Sequence, residues 1–168
     1  MDIRTSVRAM RPKPLIATSL AVAAAAVSGG FASRPAESVW YAELRKPRCQ
    51  PPSQVFPIAW TLLYTDIAAS SAITIGQLND AHQNEQSRAF AGALGVNLVL
   101  NASWSWLFFK RRALAASAVT AAALTVSSAD LTRRAARVDP RVGLGLSPYP
   151  LWCGFATVLA TRIWQLNR

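Results

Sequence analysis

Acidic side chains, histidine and cysteine are all scarce. The 168 residues hold 8 Asp and Glu against 18 Lys and Arg, with one histidine and two cysteines. One His and two separated thiols, Cys49 and Cys153, make neither a metal-ligand spacing nor a disulfide framework. The sequence also lacks a glycine-rich phosphate loop, a nucleophile beside a base, and paired carboxylates at catalytic spacing. Any chemistry would therefore draw its reactivity from a bound molecule, with no obligatory cofactor and no metal. Charge of either sign is low as well, at 15% of residues, where a soluble domain carries about 25%. The net charge of +10 would suit nucleic acid, but the Lys and Arg residues lie between apolar runs and not along one face, which argues against a nucleic-acid partner.

What the chain has instead is hydrocarbon: 52% hydrophobic residues and a mean hydropathy of +0.21. Five apolar stretches appear, at about Leu15 to Phe31, Val55 to Ile75, Ala89 to Phe109, Ala113 to Leu131 and Val142 to Leu166. Each is long enough to cross about 30 Å of hydrocarbon as a helix. The fold class expected is an all-α, five-helix membrane bundle forming a single domain over residues 1–168. The first stretch, behind Arg4, Arg8, Arg11 and Lys13, also fits a secretory signal peptide with small residues at Ser28 to Gly30. Four further spans give it a bundle to join. The links at Leu78 to Arg88, Lys110 to Arg112 and Thr132 to Arg141 are short, so sequential helices are antiparallel neighbours. Lys and Arg are equally shared between the two sides, so the positive-inside rule returns a tie. The chain is then a multi-pass membrane protein of unassigned orientation, with lipid as its solvent.

Aromatic and amide residues recur at helical spacing. Phe56, Trp60, Tyr64 and Ala68 form one stripe on helix 2, and Asn97, Asn101, Trp104 and Phe108 form another on helix 3. Tyr149, Trp152, Ala156 and Leu159 form a third on helix 5. Three such stripes facing one another wall a flat, mostly apolar cavity with a few amide and hydroxyl handles, which suits a planar aromatic ligand. Asn in a span commonly serves helix-helix hydrogen bonding instead, and Trp40 and Trp164 sit where interface-belt residues do. Ahead of helix 2 the segment WYAELRKPRCQPP is stiffened by Pro47, Pro51 and Pro52. Trp40 and Tyr41 give it apolar cover, and Arg45, Lys46 and Arg48 give it cations. Such a loop can lie as a lid over one end of the cavity, with Tyr41 and Pro47 toward the ligand, or rest on anionic lipid. Asp66 lies about 200° from the helix 2 aromatic stripe, toward another helix, with Ser70 as a neutral partner. The lone histidine, His82, falls in the loop at the opposite end, away from the lidded cavity.

Four motifs in order, WYAELRKPRCQPP, VFPIAWTLLY, NASWSWLFF and SPYPLWCGFAT, resemble the TspO/MBR family from about Trp40 to the C-terminal end. The family comprises the bacterial tryptophan-rich sensory proteins and the mitochondrial translocator protein, also called the peripheral-type benzodiazepine receptor. The resemblance implies a membrane receptor or sensor for tetrapyrroles such as protoporphyrin IX or haem. It also implies light-dependent porphyrin breakdown tied to two tryptophans that match Trp60 and Trp152. A small transporter of porphyrin, sterol or another amphiphile is the alternative. The chain departs from the family at Cys49, where an aromatic is usual, at Pro150, and at Val158, where a Tyr is frequent; sterol binding is therefore expected to be weak. Helix 3 opens AFAGALGVN, whose Ala91, Gly92 and Gly95 make a small-residue face. That face packs either on a second copy or inside its own bundle, and the resemblance favours a homodimer.

Overall fold

A computed structural model describes residues 12–34 and 39–168; the basic flank of Arg4, Arg8 and Arg11 lies outside the described residues. In chain order the elements are α1 (Pro12–Ser33), α2 (Val39–Glu43), α3 (Val55–Asp80) and α4 (Asn84–Ser105), which runs into a π-helical turn (Trp106–Lys110). Then come α5 (Leu114–Val138), α6 (Pro140–Leu146) and α7 (Pro148–Leu166). Five segments are long and apolar enough to cross a membrane: Pro12–Ser33, Val55–Asp80, Asn84–Lys110, Leu114–Val138 and Pro140–Leu166. The five-span, all-helical architecture read from hydropathy is the one observed.

The boundaries differ, because hydropathy marks where lipid ends and not where a helix does. The link expected over Thr132 to Arg141 is helical as far as Val138, leaving Asp139 as the joint. Ala and Arg there are strong helix formers, and Asp130 receives both Arg133 and Arg134 one turn on. The fifth span, expected to be unbroken from Val142, starts at Pro140 and breaks at Ser147. Pro148 has no N–H to continue the ladder, and Ser147 Oγ donates instead to Leu144 O at 2.7 Å.

The Asp139 joint is built by side chains. Asp139 has extended backbone, φ −146° and ψ 113°, and caps α6 by accepting from Arg141 N at 2.9 Å. Gln77 Nε2 donates to its other oxygen at 3.3 Å. These donors, the Arg141 N–H first, hold the Asp139 carboxyl below its usual range. A Cβ at Gly143 would lie 2.6 Å from Ala136 Cα, so only glycine allows this approach. Gly143→Ala is expected to cost about 1–3 kcal/mol through overpacking, and Asp139→Ala about 1 kcal/mol through the lost cap. With a lowered folded pKa, the Asp139 contribution is complete above about pH 4 and is lost as pH falls through the lowered value. Thermal melts in detergent should show the two proteins converging at low pH. A wild-type melting temperature in Gly143→Ala would refute the close approach.

Packing then positions the site. α1 lies against α3 and α4, α4 against α5, and α5 most extensively against α7, whereas α3 and α7 scarcely touch. Thr18 Oγ1, 3.0 Å from Ala68 O, ties α1 to α3. Thr125 and Thr157 hydroxyls 2.9 Å apart tie α5 to α7. Ile67, Leu131, Leu146 and Tyr149 are fully buried. Leu20, Val27, Val119 and Leu151 point outward, as lipid solvent permits.

Candidate functional site

At mid-bundle, four helices meet through one hydrogen-bonded chain. Tyr64 OH on α3 donates to Asn101 Oδ1 on α4 at 2.7 Å. Asn101 Nδ2 donates to Tyr149 OH on α7 at 3.4 Å, and Tyr149 OH donates to Asn97 Oδ1 at 2.7 Å. Asn97 Nδ2 completes the run by donating to Ser127 Oγ on α5 at 3.2 Å. The tyrosines and amides of the three stripes are thus brought together, and the bonds of Asn97 and Asn101 run between helices. Behind them Ser70 Oγ donates to Asp66 Oδ1 at 3.0 Å, so the one carboxylate of α3 within this region has the neutral partner its spacing suggested.

Toward the lid the lining turns aromatic. Trp60 stacks on Tyr64 at 5.3 Å, and Phe56 meets Trp152 edge-on at 6.0 Å, which bridges the thin seam between α3 and α7. Trp104 stacks on Phe108 at 5.4 Å. The π turn, closed by Arg111 N donating to Trp106 O at 2.9 Å, lets consecutive Phe108 and Phe109 both join this cluster. Ala156 is half-buried on α7, one turn beyond Trp152. Two indole N–H groups, those of Trp104 and Trp152, are buried with no partner, as is Gln50 Oε1. Unpaired buried donors in a dry bundle are costly; the Trp152 indole lies on α7 beside Phe56 of α3, whereas Trp104 packs against Ala118, Ala121 and Ala160.

The segment from Val39 to Gln54 covers this end. Trp40, Tyr41 and Leu44 pack with Phe108, Leu159 and Ile163, so Trp40 belongs to the lid cluster as well as lying near the membrane end. Gln50 N donates to Pro47 O at 3.0 Å, forming the turn that carries Pro47. Gln50 Nε2 donates to Tyr41 OH at 3.3 Å, and burial pushes the Tyr41 phenol up. The Lys46 ammonium lies 4.4 Å over the Tyr41 ring, while Arg45 and Arg48 are exposed.

Sequence reasoning missed the clasp that holds this segment. Arg45 N donates to Asn167 Oδ1 at 3.0 Å, and Asn167 Nδ2 donates back to Arg45 O at 2.9 Å. Its only signal was an Asn just past the last helical residue, ordinarily a cap. Asn167→Ala is expected to speed tryptic cleavage after Arg45 and Arg48 several-fold in the folded protein. Equal cleavage rates would show that the lid is held by its aromatics alone.

His82 is exposed in the α3–α4 turn with φ 56°, at the end of the bundle away from the lid. Both cysteines are free thiols, Cys49 exposed and Cys153 buried. Among the described residues no group of His, Cys, Asp and Glu could hold a metal ion.

These features define a multi-pass helical membrane protein with an aromatic seam closed by a loop. The profile described as the TspO/MBR family matches residues 17–165, and the chain belongs to that family. It is 31% identical over 153 residues to the tryptophan-rich sensory protein of Cereibacter sphaeroides, covering 91% of each chain. It is 31% identical over 148 residues to protein CrtK of Rhodobacter capsulatus, covering 88% of this chain and 89% of that one. With the Homo sapiens translocator protein it shares 29% identity over 128 residues, 76% of this chain and 75% of that one. Its role is accordingly that of a membrane receptor or transporter.

Proposed function

We propose that the protein is a receptor for tetrapyrroles such as protoporphyrin IX or haem, bound between α3 and α7 beneath the lid. The observation that carries this reading is the seam itself: two helices that scarcely touch, walled by Phe56, Trp60 and Trp152, with the buried indole N–H of Trp152 unpartnered. A planar macrocycle entering there displaces the edge contact of Phe56 with Trp152 and gains two aromatic faces. One propionate turned inward can accept from the Trp152 indole N–H, and the other meets Arg45, Lys46 and Arg48 at the rim. Tyr41, Pro47 and Ala156 complete the enclosure.

A photoexcited macrocycle held against an indole can take an electron from it and pass it to dioxygen. The indole radical then recovers an electron from the ring, and superoxide adds to the resulting ring radical cation, so that one macrocycle and one dioxygen give one ring-opened product. Trp60 and Trp152 are the proposed donors in such light-driven porphyrin breakdown. Val158 is 55% exposed on the outer face of α7, away from the seam and without a ring, so sterol is proposed only as a weak ligand.

Titration with protoporphyrin IX, followed by tryptophan quenching, is the first test. The double variant Trp60→Phe and Trp152→Phe is expected to keep binding, since ring area is nearly retained, and to lose at least tenfold in the rate of light-driven porphyrin loss. Absence of saturable quenching would refute the receptor; unchanged photochemistry in the double variant would refute the two donors. Flux of porphyrin across liposomes by purified protein would favour the transporter instead.

A further inference from the structure

Away from the seam, an open groove of about 530 Å³ runs along the outer surface of α4 and the π turn, lined by Val99, Ala102, Ser103, Trp106, Leu107 and Arg111. Five of these residues present carbon or one small hydroxyl, and the sixth places a guanidinium at the lid end. Two more cations gather at that end. The Phe31 ring lies 4.9 Å from Arg34 Cζ and 5.3 Å from Lys110 Nζ, and Phe31 packs on Trp106 at 6.3 Å. Trp106 is itself fixed by donating from Nε1 to Ser28 Oγ at 3.1 Å. Among the described residues the ion pairs found are both made by Asp130, which lies toward the other end of α5. Among the described residues, none of the three cations around Trp106 is paired with a carboxylate.

We propose that this groove is a site for one anionic phospholipid, with an acyl chain lying along Val99 to Leu107 and the phosphate at Arg111, flanked by Lys110 and Arg34. A cleft of hydrocarbon on a lipid-facing helix fills with chain, because no water is present to fill it. Arg111, the cation that lines the groove, then selects the headgroup, since one Lys or Arg near the surface favours anionic lipid about fivefold, whereas Lys110 and Arg34 are held on the Phe31 ring. A second copy of the protein fits the cation end poorly. Two copies meeting at Gly92 and Gly95 reach Val99, about 6 Å along the axis from Gly95, but the groove from Ser103 to Arg111 lies about 12 Å or more away. Two helices crossing there at about 40° diverge before they reach Trp106, and a two-fold contact extended to that end would set Arg111 against its own mate.

The test uses the full chain in phosphatidylcholine bilayers carrying phosphatidylglycerol or phosphatidylcholine brominated on the acyl chain, at equal mole fraction. The emission lost in Trp106→Phe isolates the Trp106 signal from the other indoles. Brominated phosphatidylglycerol is expected to quench Trp106 about fivefold more effectively than brominated phosphatidylcholine. Arg111→Gln should abolish that preference without changing quenching by phosphatidylcholine, and both Arg111→Lys and Arg162→Gln should keep it. Equal quenching by the two lipids in the wild type would overturn the site. So would a preference that survives Arg111→Gln, which would mark diffuse surface charge, or one removed by millimolar inorganic phosphate, which would mark a free-anion site. Trp106 shielded from both lipids until Gly95→Leu is introduced would assign the groove to a second copy and overturn the proposal as well.

Discussion

Tyr149→Phe is expected to lower the stability of the solubilised protein by about 1–3 kcal/mol, although it removes one oxygen atom. That hydroxyl both accepts from Asn101 and donates to Asn97, and Tyr149 and Asn97 are fully buried. Without it an amide N–H and an amide oxygen are stranded where no water can reach them. Interhelical hydrogen bonds in membranes average only about 0.6 kcal/mol, but here two are lost at once and nothing replaces them. Tyr64→Phe, at the end of the chain, loses one bond and should be milder. Thermal melts of the two variants would decide the matter. If Tyr149→Phe melts with the wild type, the network is incidental to the packing and the amides are free for a ligand.

Gly95→Leu is expected to convert a dimeric protein to monomer, on the proposal that two copies meet through α4. Cβ atoms built on Gly92 and Gly95 would touch nothing within 4 Å. Val96 beside them is 60% exposed. The face therefore does not pack inside its own bundle, which was the competing expectation. In lipid, where burial of apolar surface gives no drive, such close backbone approach is a principal source of association. A leucine there has room within its own chain, so the fold and one porphyrin site per chain should persist. Crosslinking that still captures the Gly95→Leu dimer would place the interface elsewhere.

Periodicity was sufficient to find the spans and the stripes that carry Phe56, Trp60, Trp104 and Trp152, because residues three or four apart share a helix face. It could not choose partners. Asn97 and Asn101 read equally well as handles for a ligand or as bonds between helices, and only the approach of Tyr149 from α7 distinguishes these. The π turn was invisible for a related reason: one extra residue in a turn leaves composition unchanged but rotates everything after it. The clasp of Asn167 on Arg45 joins positions more than a hundred residues apart, and no local pattern encodes such a pair. Helix ends were misplaced where arginines on Asp130 carry the helix past the lipid boundary.

The thin contact between α3 and α7 bears on how occupancy should be measured. α7 packs on α5 far more than on α3, which meets the fifth span chiefly through α6, so on the proposed binding between α3 and α7 the entry that disturbs fewest contacts is sideways from the bilayer. A greasy ligand entering by that door arrives from the lipid phase, and its relevant dose is molecules per lipid, not moles per litre of water. Half-saturation expressed in aqueous units should then drift upward as more lipid is added to the same protein, while the value expressed as a mole fraction in the membrane stays constant.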